Sequence, residues 1–234
     1  MYLGVDLFGI DIGVIATIGL AVLFPILWVV WMHTRRIDFI RSYQFPPGLW
    51  QSLTRTYPHL TPGECALASE ALKHYFLAYL KSGCKYVSMP SQAVDLIWHD
   101  FILNTKAYDG FCKAAFGHFM HHTPAVVLSS NHKSNEGLRR CWWYACAEEE
   151  LDPHQPQRLP LLFAVDTLLR IPDGFHYVPD CRGIARRSDQ HGSSSNVIHC
   201  GGDFSDRSVD GTTDGFGDSS ADGGGCGGGC GGGE

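Results

Sequence analysis

Residues 61–82, TPGECALASEALKHYFLAYLKS, have the pattern of an amphipathic helix, and both of its ends are marked in the sequence. Thr61 is suited to cap this helix, Pro62 to occupy its first turn, and Glu64 to complete a capping box with Thr61. Apolar residues recur at three- and four-residue spacing through the stretch, and a Ser-Gly pair follows its last turn. The segment therefore predicts a helix with one face buried in a core.

Similar patterns continue through the middle of the chain. A second helix is predicted from its N-cap Ser91 to Leu103, a third over about residues 106–120, and two more over about 135–149 and 159–169. The third helix has a predicted buried stripe made of Tyr108, Phe111, Cys112, Ala115 and Phe119. No run alternates apolar and polar residues in the manner of a half-buried strand. We therefore expect an all-α fold, a small bundle of four or five helices.

An uncharged apolar run occupies residues 12–32. At about 1.5 Å per residue it is long enough to cross a hydrocarbon core of about 30 Å as one helix. Trp28 and Trp31 stand where an aromatic belt belongs. A cleaved signal peptide is the alternative, but Asp6 and Asp11 replace the basic residues of such a peptide, and no small-residue cleavage site follows. We therefore predict a transmembrane helix and an integral, single-pass membrane protein.

Three arginines determine the predicted orientation. Arg35, Arg36 and Arg41 directly follow the apolar run, and the positive-inside rule places that side of the membrane in the cytoplasm. Residues 1–11 then form a short extracytoplasmic N-terminus. The predicted location is the cell membrane, which is the inner membrane if the protein is bacterial, with the C-terminal domain in the cytoplasm.

The rest of the chain divides into three predicted parts: a juxtamembrane linker at 33–47, a helical domain at 48–180 and a disordered tail at 181–234. The tail is rich in glycine and serine and has few large apolar groups, so burial cannot offset the entropy lost on ordering. Its last part, residues 200–234, contains seven acids against one arginine and so carries the whole formal net charge of -6. This acidic charge and the absence of a basic patch argue against nucleic-acid binding.

The nine cysteines are an odd set without the spacing of a disulfide framework, which is typical of free thiols in a reducing cytosol. Cys226 and Cys230 lie among the glycines of the tail. These two thiols are candidates for binding a soft metal or for oxidation. The alternative is that they belong to a low-complexity, solvated tail.

Histidines and an aspartate cluster around the second and third predicted helices. Asp95 and His99 are four residues apart and share a helix face, so the carboxylate can orient the imidazole. His118 and His122 have the same spacing near the end of the third helix. Asp95, His118 and His122 are the favoured metal-binding trio, and zinc is the metal that such ligands suit.

Three further residues are candidate ligands beside this trio: His99, Cys112 and His121. Two alternatives to a metal site stay open. Histidines in a last helical turn also interact favourably with the helix dipole, and a Trp-His-Asp stretch can be a buried polar anchor. A Cys112-His pair can instead act as a nucleophile and base.

The residues of this region also resemble a known family. The motif VDLIWHDFIL at 94–103, followed by Tyr108, Phe111-Cys112 and the HHTP run ending at Pro124, resembles the glycine-rich domain-containing protein-like family of plants and bacteria. The resemblance implies a helical domain with a glycine-rich end and no established catalytic activity. Relatives carry a second histidine where this chain has Phe101.

Two functions follow from these observations. The favoured interpretation is a non-enzymatic, single-pass membrane protein that presents a cytoplasmic helical interaction domain and a flexible Gly-Cys tail to a protein partner. The alternative is a zinc-type metal-binding protein or metal-dependent hydrolase with its site at the helical hairpin, residues 95–122.

Overall fold

The computed structural model describes residues 12–122, 136–179 and 198–204. Within these ranges the protein is helical, with one pair of very short strands. In chain order, the elements are α1 (Ile12–Ser42), α2 (Gln51–Thr56), α3 (Pro62–Lys81), α4 (Gln92–Leu103), α5 (Thr105–Ala115), α6 (Glu136–Glu148), α7 (Leu161–Leu168), β1 (His176–Val178), β2 (Ile198–Cys200) and a 3-10 turn (Gly201–Phe204). The prediction of a helical fold is therefore confirmed.

Helix α3 is the central element of the domain. Its start is the predicted one, because the Thr61 hydroxyl accepts a hydrogen bond from the Glu64 amide while the Glu64 carboxylate accepts one from the Thr61 amide. The helix packs against α1, α4, α6 and α7. Phe76, with no exposed surface, lies at the centre of the aromatic core and contacts Phe101 and Phe111. Burial of apolar side chains, these aromatic rings among them, supplies most of the favourable free energy of folding.

Helix α4 also begins as the sequence predicts. The Ser91 hydroxyl accepts a hydrogen bond from the Val94 amide, and the helix ends at Leu103. The helix count exceeds the predicted four or five, since six helices follow α1 in the described residues. The additional one is α2, which is six residues long and too short to show helical periodicity.

The short parallel sheet was not predicted. His176, Tyr177 and Val178 pair with Ile198, His199 and Cys200. Each strand has three residues, which is too few to show an alternating pattern. The segment from β2 to the 3-10 turn falls inside the predicted disordered tail, but Phe204 is fully buried. The prediction of disorder is therefore wrong for residues 198–204, and the remainder of the tail lies outside the described residues.

Helix α1 extends further than the apolar run. It continues without a break to Ser42, and Ile40 near its end is fully buried in the domain core. Residues 33–42 are therefore part of a helix packed on α3 and α5, and the predicted linker at 33–47 is wrong over this part. Among the described residues, α1 is the helix that is long and apolar enough to cross a membrane, since an 18-residue stretch within Ile15–Ser42 has a mean hydropathy of 2.3. A signal sequence near the N-terminus meets the same criteria.

Candidate metal centre

Helix α4 places Asp95 and His99 side by side at the edge of the core. Its buried face consists of Ala93, Val94, Ile97, Trp98 and Phe101. Asp95 is partly buried and His99 is exposed. The predicted four-residue spacing brings the His99 Nδ1 atom to 3.4 Å from the Asp95 Oδ2 atom. The start of the helix thus fixes the register of both candidate ligands.

The third member of the cluster, His122, does not lie on a helix. Helix α5 ends at Ala115, and Gly117 has a φ of 84°, a left-handed conformation that ends a helix at low cost for glycine. The Gly117 amide donates hydrogen bonds to the carbonyl oxygens of Cys112 and Lys113. The prediction of a third helix reaching residue 120 is therefore wrong. His118 and His122 lie on a segment without regular secondary structure and do not share a helix face.

A buried hydrogen-bond chain holds this non-helical segment against α4. The Trp98 Nε1 atom donates to the Tyr108 hydroxyl at 3.2 Å, and that hydroxyl donates to the Met120 carbonyl oxygen at 2.7 Å. Two residues later, His122 lies on Trp98 with their ring centroids 4.6 Å apart. These buried contacts with Trp98 and Tyr108 therefore position His122 beside Asp95.

Asp95, His99 and His122 form one compact cluster. The His122 Nε2 atom is 3.1 Å from the Asp95 Oδ1 atom, and the two imidazole centroids are 4.4 Å apart. One ligand atom from each of the three side chains can be chosen so that all lie within 4.8 Å of one another. The exposed fraction of the side chain is 20% for Asp95, 47% for His99 and 17% for His122. The cluster is thus anchored in the protein and open to solvent on the His99 side.

These distances suit a metal ion. Two ligand atoms of a tetrahedral zinc ion, each about 2.0–2.1 Å from the metal, are roughly 3.3 Å apart. The two histidine–carboxylate separations, 3.1 and 3.4 Å, lie close to this value. Two histidines and one carboxylate leave at least one coordination position for water or a ligand. In the absence of a metal, Asp95 and the His122 ring are within hydrogen-bond distance, and the His99 ring lies beside the same carboxylate.

The other predicted ligands lie outside this cluster. Cys112 is fully buried, and burial raises the pKa of its thiol, which disfavours a thiolate ligand. His118 is exposed and its Nε2 atom is 3.0 Å from the Tyr79 hydroxyl. His121 is exposed and packs on Phe119. Compared with the predicted trio, His99 therefore takes the place of His118. The tail thiols Cys226 and Cys230 lie outside the described residues.

Asp166, which the helical pattern of the sequence does not single out, supports the cluster through the start of α4. This carboxylate on α7 is almost fully buried and accepts hydrogen bonds from the Ser91 hydroxyl and from the amides of Gln92, Ala93 and Phe175. It therefore fixes the first turn of α4, which carries Asp95. The sequence does contain a signal for Asp166, because it is a single acid within the apolar segment LLFAVDTLL at 161–169.

One residue of the stripe predicted to be buried on the third helix is exposed. Tyr108, Phe111, Cys112 and Ala115 are buried as predicted, but 41% of the Phe119 surface is exposed. Phe119 lies beyond the helix end, where helical spacing no longer determines which side a residue faces.

Comparison with known proteins identifies a family. No curated protein and no solved structure matches the chain. A family model described as UCP032817-like matches residues 35–204, and this family is uncharacterised. The resemblance to the glycine-rich domain-containing protein-like family is therefore wrong, because a short motif within residues 94–124 does not identify a family. The matched range covers most of the chain and the whole cluster of Asp95, His99 and His122, so the protein belongs to the UCP032817-like family.

Proposed function

We propose that the protein is a single-span membrane protein whose cytoplasmic helical domain binds one transition-metal ion of the zinc type through Asp95, His99 and His122. The observation that carries the proposal is the convergence of these three side chains, whose ligand atoms lie within 4.8 Å of one another. They come from two elements that a buried hydrogen-bond chain holds together, so the site is preorganised.

The membrane part of the proposal is supported by the surface of α1. Large apolar side chains such as Leu20, Phe24 and Val29 are more than half exposed along this helix, which is costly in water and favourable in lipid. The Arg35 guanidinium lies 5.1 Å from the centroid of the Trp31 ring, a pairing suited to the membrane interface. The unbroken continuation of α1 into the domain core favours a retained anchor over a cleaved signal sequence.

The orientation follows from the arginines after the span, which favour the cytoplasmic side. Residues 1–11 are then extracytoplasmic and the helical domain is cytoplasmic. The acidic Gly/Cys-rich residues 205–234 are then on the cytoplasmic side as well. The cell membrane is the location that this arrangement requires.

An open coordination position determines what such a site can do. Structural zinc sites are closed by four protein ligands, whereas sites with three protein ligands keep a position for water or substrate. In the described part of the chain, no fourth histidine, cysteine or acid joins the cluster. Metal handling or metal-assisted hydrolysis therefore fits the site better than a purely structural role.

The test is the metal content of the full-length protein, purified in a non-ionic detergent without chelator. We expect close to one zinc ion per chain for the wild type and for His118→Ala, whose imidazole is exposed and outside the cluster. His99→Ala and His122→Ala should each lower the zinc content by about tenfold or more, since each removes one of three protein ligands. Added zinc should raise the unfolding temperature of the wild type and of His118→Ala only.

A folded wild-type protein that takes up no zinc, even when zinc is supplied, would contradict the metal site. The remaining function would then be that of a membrane-anchored interaction domain. Equal zinc loss in His118→Ala and His122→Ala would contradict the assignment of ligands.

A further inference from the structure

A cavity of about 280 Å³ lies against residues 118–121, the segment that leads to His122. Its walls include Tyr79, Cys84, Tyr86, His118 and Phe119. The Tyr79 hydroxyl and the His118 imidazole meet inside it at 3.0 Å. This volume is slightly below the roughly 300–1,000 Å³ of small-ligand pockets, so the cavity suits one polar group with a short apolar extension.

The positively charged side chain of Arg36 lies beside this cavity. The Arg36 Nη2 atom lies 3.1 Å from the position that a Cβ atom on Gly117 would occupy, and Gly117 directly precedes His118. Burial raises the pKa of the Cys84 thiol, and the nearby Arg36 guanidinium opposes the rise. Among the residues that the structure describes, no carboxylate forms an ion pair with Arg36. The positive charge is therefore available to an anionic ligand.

The position of Arg36 along α1 indicates where that ligand comes from. Arg36 follows the last residue of the uncharged run, Met32, by four positions, which is about 6 Å along a helix. The headgroup layer of a membrane extends about 5–8 Å beyond the hydrocarbon core. A spanning α1 therefore places Arg36 and the neighbouring cavity at the depth of the lipid phosphates.

Two aromatic residues of the cavity wall fit this depth. Tyr86 and Phe119 are 40% and 41% exposed. Aromatic rings of this kind are enriched at the boundary between headgroups and hydrocarbon, where they contact both. Their exposure is costly in water and is relieved if the cavity opens toward lipid.

We infer that the cavity binds the phosphate of an anionic phospholipid headgroup, with Arg36 as its charge partner. The Tyr79–His118 pair supplies hydrogen-bonding groups, and Tyr86 and Phe119 lie against the glycerol and the first acyl carbons. Free inorganic phosphate is also an anion, but it has no apolar part that would contact Tyr86 and Phe119. The inference rests on the membrane span of the proposed function and is independent of the metal.

The experiment uses the full-length protein in nanodiscs that contain equal amounts of phosphatidylcholine and phosphatidylglycerol. After transfer to detergent, native mass spectrometry counts the lipids that each chain retains. We expect the wild type to retain one phosphatidylglycerol and Arg36→Gln to retain about fivefold less, since one basic contact at the membrane surface is lost. Arg35→Gln is the matched control, because Arg35 lies over Trp31, and its retention should change less than twofold.

His118→Ala is a second variant, at an exposed position, and we expect it to lower retention about threefold whether or not Arg36→Gln folds. Equal losses in Arg35→Gln and Arg36→Gln would overturn the inference, because they would indicate a diffuse surface charge. Displacement of the lipid by millimolar inorganic phosphate would also overturn it, in favour of a soluble ligand. If alkaline carbonate extracts the chain from membranes, the membrane span itself fails. A chain that stays in the membrane but retains no phosphatidylglycerol overturns only the headgroup site.

Discussion

At the residue scale, Asp166 positions the start of α4, the helix that carries Asp95 and His99. Burial raises the pKa of this carboxyl group, and hydrogen bonds from Ser91 and from three backbone amides oppose the rise. Two of those amides belong to the first residues of α4, whose N–H groups have no partner within the helix. One side chain therefore satisfies the helix start and joins α4 to α7.

Replacement of Asp166 by asparagine should destabilise the protein by about 2–3 kcal/mol. The amide keeps the size of the carboxylate but turns an NH2 group toward donors, which leaves buried groups without partners. The measurement is denaturant unfolding of the full-length protein in detergent. Asp109→Asn is the control, because Asp109 pairs with Lys113 on the surface and its loss should cost about 0.5 kcal/mol or less. Equal effects of the two substitutions would show that Asp166 does not hold the helix start.

The candidate site was predictable only where its residues share one helix. The spacing of Asp95 and His99 on α4 follows from sequence alone, because the Ser91 cap sets the register. The position of His122 beside Asp95 depends on the hydrogen bond that the Tyr108 hydroxyl donates to the Met120 carbonyl oxygen. That contact is a tertiary one, and no local pattern of residues encodes it.

At the element scale, the end of α5 decides where the histidines lie. The apolar spacing from Tyr108 to Phe119 continues past Ala115, so periodicity alone extends the helix too far. Gly117 ends the helix in spite of this spacing, because its left-handed backbone lets its amide bond the carbonyl oxygens of Cys112 and Lys113 in the last turn. A glycine within an apolar pattern is a local signal that a helix ends, and here the apolar spacing continues past that signal.

Gly117→Ala and Gly110→Ala should have opposite effects. Alanine at Gly117 would hold a φ of 84° and meet the Arg36 side chain, so we expect a loss of about 1 kcal/mol in stability. Gly110 lies within α5 and an added Cβ would have open space around it, so alanine there should stabilise the helix by up to about 1 kcal/mol. Thermal unfolding of both variants measures the difference. If Gly117→Ala is as stable as Gly110→Ala, the left-handed turn is not required.

At the scale of the whole molecule, the proposed membrane helix and the domain form one continuous unit. The last turns of α1 are bound to the domain by the buried side chain of Ile40 and by a hydrogen bond from the Lys73 ammonium to the Arg41 carbonyl oxygen. The sequence revealed the apolar run but not this continuation. The charges of Arg35 and Arg36 indicate where the apolar run ends, but the helix itself continues past them into the domain core.

Glu148 on α6 strengthens this junction by pairing with two cations. Arg41 donates two hydrogen bonds to its Oε1 atom, at 2.9 and 2.6 Å, and Lys81 pairs with its Oε2 atom. The carboxylate side chain is only 7% exposed. Burial alone would raise the pKa of Glu148, but the hydrogen bonds from Lys81 and Arg41 outweigh it, and the pKa lies below its ordinary value of 4.5. The ionised form is therefore the one that stabilises the fold.

The sign of this shift makes the effect of Glu148→Gln depend on pH. Because the pKa of the group is lower in the folded than in the unfolded chain, its contribution is present above pH 4.5 and is lost as the pH falls through the folded value. We expect Glu148→Gln to cost about 1–3 kcal/mol at pH 7, and the gap to the wild type to shrink below pH 4.5. Unfolding of both proteins in detergent at pH 7 and pH 4 measures it. Asp109→Asn, which removes the exposed partner of Lys113 away from this junction, should cost about 0.5 kcal/mol or less at pH 7. A gap for Glu148→Gln that is constant or grows in acid would mean that its charge does not join α1 to the domain.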